Sequence, residues 1–333
     1  CISTILACAG FSTLSGSSLA TAATIGRISM GEMLKRGYSP SISSGTIAAG
    51  GTIGILIPPS VMLVVYGLLT EQSIREMFAA GILPGVLLTL TFIVTVVVWV
   101  RLRPASAPRA NPNDPRLDVP KAGVLSLVGL VVIVLGGLYA GYFTATESAA
   151  VGTLGTLIIA WFRGGLSWKN LAGALTETAS TSAMIFFIII GSALYATFLS
   201  VTGISGALRD FVVGLDVAPV WVLVAILSVY IVLGCFMDSM GMILLTIPVF
   251  YPVTVALGID PILFGVLVVM VVEVGLITPP LGMNIFIVRS VAPEVPVQKI
   301  FLGALPFVLA FLVSVALVIA IPGLALWLPG LMR

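Results

Sequence analysis

The residues able to do chemistry are few, and they cluster where apolar sequence is interrupted. Ser15-Gly16-Ser17-Ser18 breaks an apolar run over residues 2–34, and Gly50-Gly51 with Pro58-Pro59 breaks one over 41–69. Asp238-Ser239 breaks the run 219–257, and Gly275 with Pro279-Pro280 breaks 261–288. At such breaks backbone groups lose their helical partners. Half-helix C-termini and freed carbonyls then suit a small cation, and half-helix N-termini suit a carboxylate. Proline lacks an amide donor, so Pro58 and Pro59 are expected to free the carbonyls of Gly54 and Ile55. Pro279 and Pro280 are expected to free those of Gly275 and Leu276. Ser15, Ser17, Ser18, Thr52, Thr278 and Asn284 add hydroxyl and amide oxygens, an all-oxygen set that fits Na⁺ better than a soft metal. The plainer alternative is that these Gly, Ser and Pro residues serve only close helix packing and kinks.

Two carboxylates fall within the interruptions. Glu273 lies in the last of the broken runs, where an acid is costly and usually has a role. It either neutralises a cation, pairs with a backbone donor, or only holds the break together. Asp238, at a hairpin tip, either ligates a cation or caps the half-helix that follows. Glu147, just after Thr144 and Thr146, reads as an acid at the positive end of a helix. Arg289 and Lys299 read as interfacial anchors, which leaves no arginine to clamp a carboxylate inside the membrane. Cys1, Cys8 and Cys235 show no metal spacing and read as packing residues.

The elements that must position these residues are membrane helices. Of 333 residues, 59% are hydrophobic and 8% charged, against about 25% charged in soluble domains. That composition calls for an all-α polytopic membrane protein. A net charge of +2 gives no nucleic-acid footprint, and the absence of histidine excludes imidazole chemistry of every kind. Ordinary spans are expected over 79–100, 122–140, 147–162, 176–200 and 300–321, with a shorter mixed segment over 203–216. The loop 101–121 carries Arg101, Arg103, Arg109, Arg116 and Lys121 and is proline-rich, so it reads as a cytoplasmic linker. Lys35, Arg36, Arg163, Lys169, Arg289 and Lys299 fall on the same side only if 2–34 and 219–257 are re-entrant hairpins. The chain opens on Cys1 in apolar sequence with no basic n-region, which excludes a signal peptide and suggests a start part-way through a membrane element.

A shift of 221 residues superposes two halves. It pairs Ser18 with Ser239, Gly37 with Gly258, Pro40 with Pro261, Gly54 with Gly275, Pro58 with Pro279, Pro59 with Pro280 and Met62 with Met283. Five of the seven matches are Gly or Pro, the residues that set where helices break. With the charge placement this reads as an inverted repeat, the plan of secondary transporters. The expected organisation is a first repeat over 1–100, the linker 101–121 and a linking span 122–140. A second repeat follows over 141–333, with the segment 203–216 as an interfacial arm.

The motifs resemble one family. Ser15-Gly16-Ser17-Ser18-Leu19-Ala20-Thr21-Ala22, Ala48-Ala49-Gly50-Gly51-Thr52-Ile53-Gly54-Ile55-Leu56-Ile57-Pro58-Pro59-Ser60 and Gly81-Ile82-Leu83-Pro84-Gly85 look like the large membrane subunit of tripartite ATP-independent periplasmic (TRAP) transporters. Thr144-Ala145-Thr146-Glu147-Ser148-Ala149-Ala150 and Gly275-Leu276-Ile277-Thr278-Pro279-Pro280-Leu281-Gly282-Met283-Asn284 match the same family. The resemblance covers essentially the whole chain, with members longer at the N-terminus. It implies an elevator-type carrier whose two re-entrant hairpins and two broken helices move as a block. It implies Na⁺-driven import of an organic acid, such as a C4-dicarboxylate, across a bacterial or archaeal cytoplasmic membrane. Its partners would be a small membrane subunit and a periplasmic substrate-binding protein, and no cofactor beyond Na⁺ is implied. Carried over, one sodium site falls at Ser15, Ser17 and Ser18 with Gly50, Thr52 and Gly54. The other falls at Asp238 and Ser239 with Gly275 and Thr278, and substrate sits between them against Ser17, Thr52, Pro58, Glu273, Pro279 and Asn284.

Three other readings compete. A binding-protein-independent Na⁺/carboxylate carrier would share the fold. An intramembrane aspartyl enzyme would use Asp238 and Glu273, which would have to lie within a few ångströms of each other. An ion channel is disfavoured by the paired re-entrant tips.

Overall fold

The computed structural model describes residues 1–108 and 121–332, so residues 109–120 of the expected linker, with Arg109 and Arg116, lie outside the described residues. All regular structure among the described residues is helical, and the protein is an all-α polytopic membrane protein. Helices α5 (Ile74–Leu102), α7 (Ala145–Phe162), α8 (Trp168–Thr202), α11 (Ser239–Ala256) and α14 (Val297–Ala320) are long and apolar enough to cross a bilayer.

The two halves carry the same series of elements. The first runs α1 (Ile2–Ser15), α2 (Ser18–Lys35), α3 (Pro40–Thr52), α4 (Val61–Leu69), α5. The second runs α10 (Pro219–Gly234), α11, α12 (Pro261–Leu276), α13 (Met283–Val291), α14. The matched residues hold matched posts. Ser18 and Ser239 each open a helix of 18 residues. Pro40 and Pro261 each begin a helix, where the missing amide costs nothing. Gly37 and Gly258 both take positive φ, 82° and 71°, and Pro58-Pro59 and Pro279-Pro280 are both cis. The hairpins α1–α2 and α10–α11 and the breaks α3–α4 and α12–α13 therefore stand where the sequence places them. The breaks are longer than a proline kink. Helix α3 ends at Thr52 and passes into a 3₁₀ turn, Ile53–Ile55, before Pro58 is reached. Helix α12 ends at Leu276, three residues before Pro279. Both proline pairs lie in the connection itself, outside any helix, and the Gly275 carbonyl, expected to be freed, accepts from the Thr278 amide at 3.1 Å, because the end of α12 tightens into a shorter turn.

The chain divides into two compact units, Cys1–Arg109 with Tyr195–Arg333, and Ala110–Leu194. The first holds both hairpins and both broken helices. Its axis is α12, buried at every residue from Ile262 to Leu276 and apolar all round apart from Glu273, as a helix enclosed by others must be. Tyr66 of α4 donates to the Pro261 carbonyl at 2.6 Å and lays its ring over the bare backbone of Gly265, joining the two halves. Helices α3 and α14 cross backbone to backbone at Gly45 and Gly303. The segment expected as an interfacial arm is α9 (Ile204–Gly214), whose Ser205 hydroxyl donates to the Pro248 carbonyl of α11 at 3.3 Å. A final helix, α15 (Gly323–Gly330), packs on α5.

In the second unit, α6 (Lys121–Tyr139) and α7 pack through Gly155 against Leu130. Glu147 does more than face a helix dipole. It closes a capping box in which its carboxylate accepts from the Thr144 amide at 2.8 Å while the Thr144 hydroxyl accepts from the Glu147 amide at 3.3 Å. Trp161, Phe162, Phe186 and Phe187 are exposed, an apolar surface of the kind that faces lipid or a membrane partner.

The Gly45–Gly303 crossing yields a stability test. A Cβ at Gly45 would collide with the Gly303 carbonyl, which is backbone and cannot rotate away, whereas a Cβ at Gly31 meets nothing within 4 Å. Gly45→Ala should cost about 1–3 kcal/mol and lower the melting temperature in detergent, while Gly31→Ala should leave it unchanged or raise it.

Candidate functional site

The first hairpin turns tightly enough to seat on the first break. Helix α1 ends at Ser15, and Gly16 takes φ 58°, where a Cβ would stand 2.8 Å from the Pro59 carbonyl oxygen. Ser17 is extended and caps α2, its hydroxyl accepting from the Ala20 amide at 3.4 Å. Ser15 and Thr21 share a hydroxyl–hydroxyl hydrogen bond of 2.7 Å, and Thr21 donates to the Ser17 carbonyl at 2.8 Å. Opposite this tip the break offers bare backbone. A Cβ on Gly51 would lie 3.0 Å from the Ser18 carbonyl oxygen, and one on Gly54 would lie 2.9 Å from the Thr21 hydroxyl and 3.2 Å from the Ser17 carbonyl oxygen. Gly50 faces the Cys8 sulfur at 2.8 Å on the same measure. Thr52 is fully buried and donates to the Ala49 carbonyl at 2.6 Å, keeping its lone pairs for another partner.

The second hairpin meets the second break by a different joint. Helices α10 and α12 end beside each other at Gly234 and Gly275, where a Cβ on Gly234 would lie 3.1 Å from the Gly275 Cα. Two helix C-termini, each with a partial negative charge, therefore adjoin. Asp238 caps α11, its carboxylate accepting from the Met240 amide at 3.0 Å, and Ser239 behind it is buried. Thr278 donates to the Val274 carbonyl at 2.6 Å.

The two joints share a polar interior. Glu273 is fully buried; the Ser18 hydroxyl stands beside it without a well-formed hydrogen bond, and the Asp238 carboxylate acts on it only through its charge. One comes from each hairpin tip. Asn284 at the start of α13 donates to the Ala48 carbonyl of α3 at 3.3 Å, and its buried amide oxygen has no partner. The expected residues Ser15, Ser17, Ser18, Gly50, Thr52 and Gly54 are thus gathered at one joint, and Asp238, Ser239, Gly275 and Thr278 at or beside the other. Within the substrate set the two proline pairs part company. Pro58 is buried under the first hairpin, whereas Pro279 is exposed, as are Asp238 and Phe236 at the second tip. Among the described residues no lysine or arginine is buried. Sequence reasoning missed Thr21, Ala48 and Gly234. Thr21 was signalled by its place four residues after Ser17, where a helical hydroxyl can return to the carbonyl, but the other two act only through backbone.

The whole chain matches known carriers. Residues 2–324 match the family model of the tripartite ATP-independent periplasmic transporter, DctM component. The chain belongs to this family. It is 37% identical to the C4-dicarboxylate TRAP transporter large permease protein DctM of Pseudomonas aeruginosa, over 99% of this chain and 77% of that one. It is 32% identical to the sialic acid TRAP transporter large permease protein SiaM of Vibrio cholerae, over 98% and 76%. It is also 32% identical to the ectoine TRAP transporter large permease protein TeaC of Halomonas elongata, over 99% and 77%. The fold is similar to the crystal structure of the Alcanivorax borkumensis YdaH transporter, with a TM-score of 0.57 at 15% identity, covering 96% of this chain and 85% of that one.

Gly54 tests the first joint. Gly54→Ala places a methyl against the Thr21 hydroxyl and the Ser17 carbonyl and should lift the hairpin tip from its seat. A strain of about 1–3 kcal/mol corresponds to a loss of roughly tenfold or more in binding or uptake. Uptake by reconstituted permease should fall accordingly, while Gly10→Ala, with open space around it, should transport normally.

Proposed function

We propose that the chain is the carrier subunit of a Na⁺-coupled importer of an organic acid, set in a bacterial or archaeal cytoplasmic membrane. The carrying observation is that each hairpin meets a helix break, the first tip at Gly51 and Gly54 and the second hairpin at Gly275, with no buried lysine or arginine among the described residues. In lipid such broken backbone persists only where it lines a protein cavity or water. An organic anion entering there has backbone amides, hydroxyls and helix N-termini to bind it. The N-termini of α2 at Ser18 and of α13 at Met283, which open next to the two breaks, are the ones proposed to meet it. Its charge needs a cation, and the oxygens of the two joints are the donors a hard monovalent ion takes.

Na⁺ would act in sequence with the tips. An ion at Ser15, Ser17, Ser18, Gly50, Thr52 and Gly54 fastens the first hairpin to its break, and one at Asp238, Ser239, Gly275 and Thr278 fastens the second. Substrate is held against Ser17, Thr52, Pro58, Glu273, Pro279 and Asn284. With ions and substrate in place the hairpins and broken helices move as a block, as in an elevator. Each net positive charge moved through 100 mV gains about 2.3 kcal/mol, so ions beyond neutralisation draw on the membrane potential.

A small membrane subunit and a periplasmic binding protein are the proposed partners, by membership of the family. The relatives' names span C4-dicarboxylate, sialic acid and ectoine, so the family leaves the acid open. The enzyme reading has little support, because Asp238 is exposed and already engaged as a helix cap and the relatives are permeases.

Uptake into liposomes holding the permease and its small subunit decides the matter. Uptake should require an inward Na⁺ gradient and the binding protein. Transport that proceeds equally in K⁺ would sink the coupling, and transport without the binding protein would favour the independent carrier.

A further inference from the structure

The helices of the two hairpins and two breaks carry few charges. Helices α1, α3, α4, α10 and α11 have none, α12 has Glu273, and α13 has Arg289. The others lie on α2: Arg27, Glu32 and Lys35. Most are engaged. Glu273 is buried, Glu32 pairs with Lys35 at 3.6 Å, and Arg289 donates to the Pro293 carbonyl and, at 2.7 Å, to the Val295 carbonyl. Arg27 is exposed and, among the described residues, makes no hydrogen bond or ion pair. Its direction is set by its neighbour. Gly26 packs on Ile47 of α3 and Val291 of α13, which turns Arg27 outward together with Gly31 one turn on, where a Cβ would meet nothing within 4 Å. Arg27 follows Ser18 by about 13 Å along the helix. In the orientation given by Lys35 and Arg36, it stands on the cytoplasmic side of the hairpin tip. The repeat matches it with Pro248 in α11, so the other hairpin has no counterpart.

We propose that Arg27 is a transient docking post for the carboxylate of the departing cargo, on the exposed face of α2 between the hairpin tip and the cytoplasm. The proposal rests on the organic-acid reading for its cargo and on the fold for its position. An anion at the N-terminus of α2 is held by the positive end of that helix, and it loses this field as it moves along the helix. Arg27 restores a positive potential on that route. Because it is exposed, its pull is modest: a unit charge near contact in water favours an anion by about fivefold, enough to draw it and too little to trap it. The absence of a charge on α11 gives the device to one hairpin only, so it acts on release and not on capture.

The test reads the field and the transport separately. Gly31→Cys is made together with Cys1→Ser, Cys8 and Cys235 being buried. In liposomes it is labelled with negatively and positively charged methanethiosulfonates, and the labelled peptide is quantified by mass. The negative reagent should react faster. Adding Arg27→Gln should slow it about threefold and speed the positive reagent about threefold at low salt, the effect of one unit charge at about 6 Å in water. Arg27→Lys should keep the original ratio, and raised salt should erase the difference. With succinate or sialic acid as cargo, Arg27→Gln should raise the half-saturating concentration on the cytoplasmic side about threefold. The outer side and the Na⁺ dependence should not change, whereas a residue that only props the helix would shift both sides together. Absent labelling at Gly31→Cys, a labelling ratio indifferent to Arg27, or an unchanged cytoplasmic half-saturation each overturns the post and leaves the carrier reading intact. Wild type that moves neither anion overturns the organic-acid reading and the post with it.

Discussion

Bare backbone brought against bare backbone is the constraint on which this fold depends. A bilayer offers no water to a broken helix, so each interruption must find its partners inside the protein. The chain meets this by removing side chains where segments meet. Gly16 lies under Pro59, Gly51 and Gly54 lie under the first hairpin, Gly234 meets Gly275, and Gly45 meets Gly303. At these points the main chains of two elements approach so closely that any side chain larger than hydrogen would hold them apart. The abundance of glycine thus has a direct structural use. It lets polar backbone be buried in pairs.

Charge is the second constraint, and it follows from the first. Backbone joints present partial charges only, so a carrier of anions built from them needs no buried arginine, and none is buried among the described residues. In the Na⁺-coupled reading proposed above, the cost of bringing an anion into the membrane is met instead by ions that travel with it. A bidentate arginine would bind a carboxylate more tightly than amides do, but it would also fix one substrate geometry and remain charged when empty. A family whose named members carry acids as different in shape as C4-dicarboxylate and sialic acid is better served by donors that the main chain supplies whatever the cargo.

Much of this was legible in the sequence because the responsible residues have few alternatives. Positive φ at Gly37 and Gly258, helix starts at Pro40 and Pro261, and the matched proline pairs are backbone requirements that only those residue types meet well. The hairpins and breaks could therefore be placed to within a few residues. What stayed hidden was contact at a distance. Nothing in the local pattern announces that Gly45 faces Gly303, that Tyr66 reaches the Pro261 carbonyl, or that Asn284 bonds Ala48 across the two halves. Helix α15 was also missed: the expected spans ended at residue 321, whereas Pro322 serves as the cap of a new helix.

The repeat is informative chiefly where it fails. At the position where the second half has Glu273, the first has Thr52, whose hydroxyl is satisfied by the Ala49 carbonyl. The first joint is sealed, with Pro58 buried and Gly16 pressed on Pro59, while the second leaves Asp238, Pro279 and Phe236 exposed. Two halves with the same elements have thus been given different electrostatics and different access. A symmetric pair of joints would bind the same ion equally and release it equally at either face, and could not by itself order the binding of ions and cargo. Among the described residues the one fully buried carboxylate, Glu273, stands in the second half, so the two joints are not electrostatically equivalent.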